Sequence, residues 1–203
     1  MPSGDQVGKP GGGLDSTFSG DGKVVTDVSS TDFGNALALQ PDGKIVVVGP
    51  SLTGASDYRF AVLRYTSIGD LDSTFSGDGM VFADFGADND IARGVAPASG
   101  GRIVVGGLAN SLVSSDFGLA FFRPNGRRDG QAAGQGLVVA DLGGNDRANA
   151  LALQPDGRIV LAGTSDGDFA LTRHLGVLSS AEGPRCGPGR IRTRDTRVKS
   201  PLL

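Results

Sequence analysis

The nine residues Leu14-Asp15-Ser16-Thr17-Phe18-Ser19-Gly20-Asp21-Gly22 return letter for letter from Leu71 to Gly79, a displacement of 57 positions. The segment ALALQPDGKIV, Ala36 to Val46, returns as ALALQPDGRIV from Ala150 to Val160, at twice that displacement. A worn middle copy, ARGVAPASGGRIVV from Ala92 to Val105, carries one additional residue in its turn. The third opening is worn too: Arg128-Asp129 stands for Leu71-Asp72, and Gly134-Gln135-Gly136 for Gly77-Asp78-Gly79. Two independent anchors share one period, so the chain is an array of three units, at about 14–70, 71–127 and 128–180.

Each unit reads as strands. Gly22 to Val28 is rich in β-branched residues and alternates weakly. Asn35–Gln40 and Lys44–Gly49 flank Pro41-Asp42-Gly43. There Pro sets φ for the first central turn position, Asp bonds back to the backbone and Gly accepts positive φ, which together predict a β-hairpin. A further strand is expected at Arg59–Tyr65, with counterparts at Leu119–Arg123 and Phe169–His174. Four short strands per unit make an antiparallel meander.

Ile45-Val46-Val47-Val48 and Ile159-Val160-Leu161-Ala162 are apolar on both faces and must be covered on both. Ala-Leu-Ala-Leu at 36–39 and 150–153 puts small residues on one face and large ones on the other. Meanders stacked face to face around an axis satisfy both patterns, so the expected fold is all-β: three four-stranded antiparallel blades of an open, partial β-propeller. The stretch Thr66–Asp78 is expected to carry the chain from one blade to the next, with Phe18 and Phe75 plugging the joints.

LDSTFSGDG at 14–22, ALALQPDGKIVVVG at 36–49 and FAVLRY at 60–65 resemble the bacterial delta-60 repeat, over about 14–180. The resemblance implies a β-propeller in large exported or cell-surface proteins. It brings no catalytic residues to carry over.

Composition closes other routes. Of 22 acidic residues only Glu182 is not Asp, and Asp is a turn and cap residue that disfavours a helical protein. A net charge of −3 gives no general drive toward nucleic acid, and no apolar run is long enough for a membrane span. One cysteine, Cys186, and one histidine, His174, exclude an intrachain disulfide or a Cys/His zinc site. MPSGDQVGKPGGG lacks the apolar core of a secretory signal, which points to the cytoplasm or to a start upstream; residues 1–13 are expected to be a flexible Gly-rich lead.

No catalytic, cofactor-binding or metal-ligating residue is expected. Asp15, Asp21, Asp72, Asp78, Asp166 and Asp168 sit in Gly/Ser-rich connections, where turn stabilisation explains them better than calcium. His174 closes an outer strand where the first copy has Tyr65, and reads as a strand-end residue. Arg64, Arg123 and Arg173 are expected at equivalent outer-strand positions, with Asp pairing the plainer account than an anion ring. Lys23 and Met80 share one position, so that position is not a repeated ligand.

Residues 181–203 hold six basic and two acidic side chains and read as a disordered tail. Arg190 to Thr193 and Val198 to Ser200 admit codons whose complement fits a transfer RNA gene, so a translated non-protein region is one account of this end. Three blades fall short of the roughly four to eight that close a propeller. The open faces should therefore demand self-association, most simply two arcs of three, or further blades of a longer protein. The function expected is a non-enzymatic structural or interaction module, part of an exported repeat protein, with protein or glycan ligands at a loop rim. The alternative is a degraded propeller lyase or glycosidase using Asp carboxylates.

Overall fold

The computed structural model describes residues 12–54, 57–86, 89–110 and 114–176. The expectations for residues 1–11 and 181–203 lie outside the described residues. Among the described residues, eleven strands form three antiparallel meanders. The first sheet is β1 (Ala36–Leu39), β2 (Ile45–Thr53), β3 (Asp57–Tyr65) and β4 (Met80–Ala83). The second is β5 (Ile91–Ala98), β6 (Arg102–Asn110), β7 (Ser115–Phe122) and β8 (Leu137–Ala140). The third has three strands among the described residues: β9 (Asp146–Leu153), β10 (Ile159–Ser165) and β11 (Asp168–His174). No helix among them is long and apolar enough to cross a membrane.

The hairpin turn follows the chemistry of its residues. Gly43 takes φ 83°, Gly43 N–H donates to the Gln40 carbonyl, and Lys44 N–H donates to Asp42 Oδ1 at 3.2 Å. Strand pairing then runs from Leu39↔Ile45 to Ala36↔Val48.

Sequence repeat and sheet are out of phase. Gly22–Val28 was expected to open a blade, yet it joins no strand, and its equivalents Met80–Ala83 and Leu137–Ala140 close the sheet that precedes them. Likewise Thr66–Asp78 does not cross between sheets: it loops from β3 back to β4 of the same sheet, and the chain enters the second sheet only at β5. The reason is long-range. Local β-propensity says that Met80–Ala83 extends, but only the free edge of β3 decides where it pairs.

The sheets pack face to face. Val46, Val48, Phe60 and Val62 meet Ile103, Val105, Ala120 and Phe122, with Phe75 wholly buried between them. On the other face of the second sheet, Val104, Phe117, Leu119 and Phe121 meet Ala148, Ile159, Leu161 and Ala170. Ile103, Val104 and Val105 are successive residues of one strand buried in two different cores, which is the two-sided burial their composition demands. The open face of the first sheet carries Ala61, Leu63 and Tyr65, overlaid by Val24 and Val28. Phe18 is only half-buried, unlike its repeat partner Phe75.

Gly49, Gly107 and Gly163 hold one position in the three sheets, where the innermost strand crosses the next. A Cβ there would sit 1.7 Å from the Phe33 carbonyl oxygen, 2.0 Å from that of Ile91 and 1.8 Å from that of Arg147. Only glycine allows so close a backbone approach.

Candidate functional site

Asn89 before β5, Ser114 before β7 and Asn145 before β9 gather on one rim. The crossing into each sheet is fastened by one aspartate. Val28 N–H donates to Asp32 Oδ2 at 3.0 Å, Phe85 N–H to Asp90 Oδ2 at 2.8 Å, and Leu142 N–H to Asp146 Oδ2 at 2.6 Å. These residues follow Asp27, Asp84 and Asp141 by five, six and five positions, a recurrence visible in the sequence but hidden by the one-residue shift in the middle copy.

Between the second and third sheets this rim opens into a cleft of about 380 Å³, lined by Asn89, Arg93, Asn110, Ser115, Asn145 and Arg147 among others. The Arg93 Nε is buried and has no hydrogen-bond partner. Beside the cleft, oxygens of Asp116, Asp141 and Asp146 lie within 4.8 Å of one another. Asp116 and Asp146 are buried while Asp141 is exposed. Burial pushes the Asp116 carboxyl up, and the charges of Asp141 and Asp146 push it further. Asp146 Oδ1 is buried without a partner, whereas the matching oxygen of Asp90 accepts from Asn110 N–H at 2.9 Å. By register Asp116 occupies the place of Arg59 in the first sheet, where the guanidinium lies over the Phe82 ring at 5.1 Å. A cation of the first sheet is thus replaced by a third carboxylate in the second. If any residues here hold a hard cation it is these three, each offering an oxygen, fewer than the six to eight that calcium takes.

The aspartates expected in turns lie in turns and connections, except Asp168, which is the first residue of β11. Asp15, Asp21, Asp72 and Asp78 each accept from the backbone N–H two residues on, at 2.9, 3.0, 3.0 and 2.9 Å. Asp166 accepts from Asn145 N–H at 2.9 Å on the same rim, and Asp168 is exposed. His174 ends β11 with Nε2 2.9 Å from the Thr172 hydroxyl, and burial lowers its pKa.

The arginines divide differently from their expected equivalence. Arg64 lies opposite Val46, Phe121 opposite Val104 and Arg173 opposite Val160, so Arg123 falls two residues beyond the pattern. Pairing with aspartate is nonetheless what two of them do. Arg64 Nε bonds Asp72 at 2.8 Å, and Arg123 Nε bonds Asp129 at 3.2 Å beside Arg102 at 2.8 Å.

Residues 40–75 and 154–173 match the family model of a domain of unknown function, DUF5122, described as a beta-propeller. The fold is an open β-propeller array. The matched stretches span the β2–β3 hairpin with the loop that carries Phe75, and the β10–β11 hairpin of the third blade. No curated protein matches the chain.

Proposed function

We propose that this chain is a non-enzymatic propeller module of the delta-60 type, built to engage further blades or further copies through its open sheet faces, within a larger exported protein. One observation carries the reading. Phe60, Phe117 and Phe169 hold the same register position, opposite Pro50, Leu108 and Thr164; the first two are buried at 0% and 1% exposure, while Phe169 is 98% exposed. The opposite end of the arc repeats the imbalance. Leu37 and Leu39 are exposed on the first blade, whereas their equivalents Leu151 and Leu153 pack against the second. Together these residues form apolar faces of the kind that mark interaction sites.

An enzyme working through Asp carboxylates is less well supported. Asp146 is committed to the Leu142 backbone, and the cluster is tighter than the roughly 5–10 Å that separates paired glycosidase carboxylates. Light scattering on the purified chain at micromolar concentration tests the assembly reading. A mass above that of one chain is expected; a folded, stable monomer overturns it.

A further inference from the structure

We propose that residues 14–28 of a second copy supply the outer strand that the third blade does not have among the described residues, so that two copies close into a six-bladed ring. The inference rests on the assembly reading above and names the segment that performs it.

Each complete blade ends in a short strand taken from downstream. Phe60↔Ala83 to Leu63↔Met80 pair in the first, and Phe117↔Ala140 to Ala120↔Leu137 in the second. In the third, β11 pairs with β10 on one side, and its other edge has no strand among the described residues.

Residues 14–28 are the same module without an inner sheet to close. They repeat the loop before β4 letter for letter over nine residues, and Lys23–Thr26 then align with Met80–Ala83. The segment already sits on the first blade as its counterpart sits on the second. Ser19 N–H donates to the Ile68 carbonyl at 2.8 Å, and Ser76 N–H to the Asn125 carbonyl at 2.9 Å. Thr26 accepts from the Tyr65 hydroxyl at 2.7 Å, and Val24 and Val28 lie on Ala61, Leu63 and Tyr65. What remains unused is the edge that in β4 pairs with β3.

Carrying the β3–β4 register over sets Phe169 opposite Thr26, Ala170 opposite Val25, Leu171 opposite Val24 and Thr172 opposite Lys23. Leu171, 66% exposed, gains cover, and so does Val25, 95% exposed. Charge follows the same mapping. Arg173 stands where Arg64 stands, Arg158 where Lys44 stands and Asp15 where Asp72 stands, so the Arg64–Asp72–Lys44 cluster would be rebuilt across the joint. Phe18 would take the part of Phe75. Three blades from each of two copies make six, inside the roughly four to eight that close, and a head-to-tail contact that closes gives a ring rather than a filament.

The test uses the full chain with Cys186→Ser and cysteines at Val25→Cys and Ala170→Cys, oxidised and run without reductant, with light scattering in parallel. The expected result is a covalent dimer, with far less cross-linking when Leu171→Cys replaces Ala170→Cys, because a shift of one residue points the thiols to opposite faces. Mixing the two single-cysteine chains should also cross-link them. A dimeric mass without the selective cross-link overturns the strand assignment and leaves the assembly reading standing. A monomeric mass overturns both. Cross-linked ladders longer than two chains overturn the two-copy ring.

Discussion

Arg64 and Asp72 form a buried ion pair of 2.8 Å that locks the loop before β4 onto the outer face of the hairpin it closes. Arg64 also stacks on the Phe75 ring at 4.5 Å and donates to the Pro124 carbonyl of the second blade at 2.7 Å. One guanidinium thus joins strand, loop and neighbouring sheet.

Removing one partner of such a pair strands the other. Asp72→Ala leaves Arg64 buried without its carboxylate and Lys44 with only Asp42, at 3.6 Å, and should cost about 3 kcal/mol. Arg64→Leu with Asp72→Ala should cost less than the sum of the two single changes, since no lone buried charge remains. Urea unfolding of the four chains measures the coupling. The sign with pH follows: Asp72 is held well below the usual carboxylate range against the opposing effect of burial, by hydrogen bonds from Thr74 and Lys44 and by the Arg64 charge. Its contribution is therefore full above the unfolded pKa and is lost as pH falls toward the folded one.

Gly107→Ala tests the close crossing of the second blade. The new methyl would meet the Ile91 carbonyl oxygen at 2.0 Å, and the atoms nearest it are backbone of Ile91 and Ala92, with no flexible side chain to yield. The variant should lose several kcal/mol or fail to fold. Gly34→Ala, with only a Val47 methyl at 3.7 Å, should be tolerated or gain about 0.5 kcal/mol from a less flexible unfolded chain. Thermal melts of the pair separate steric cost from a general loss of glycine.

The repeat made blades and hairpins legible because each is local: Pro41-Asp42-Gly43 fixes a turn, and Ile45 to Val48 demands cover on both faces. Phase was not legible. Met80 to Ala83 extends for local reasons but pairs with Phe60 to Leu63, some twenty residues upstream. Arg123 looked equivalent to Arg64 by its place near a strand end, and only the pairing of Phe121 with Val104 corrects it. The carboxylate group was hidden for the same reason: Asp116 lies on β7, Asp141 on the loop after β8 and Asp146 at the start of β9, and no spacing in the chain announces that they meet.

Asp90 sets a pH dependence of opposite sign to that of Asp72. Burial lifts its carboxyl to about 6 against the two backbone donors that hold it, with Asp84 and Asp57 adding to the rise. A raised carboxyl stabilises the fold most fully below the unfolded pKa and loses that contribution as pH climbs through the folded value. Asp90→Asn should remove a slope on the order of 2 kcal/mol between about pH 4 and pH 7. It should also cost about 1 kcal/mol at every pH, because the amide keeps one acceptor for Phe85 and Asn110. Denaturant midpoints across that window distinguish the slope from the offset.

Asp116 presents the converse case, a charge whose removal should help. It stands where the first blade has Arg59, is buried, and faces Asp141 and Asp146. Asp116→Asn keeps the shape, ends the repulsion, and with a chelator present should raise stability by about 1 kcal/mol, a few degrees in Tm. Since its carboxyl is shifted upward, the gain should grow as pH rises and shrink in acid, where the native aspartate takes up a proton. Asp146→Ala makes the contrast. It relieves the same repulsion but leaves the Leu142 N–H without its acceptor, so it should destabilise. If both variants destabilise equally at pH 8, the three carboxylates do not repel one another in the folded chain.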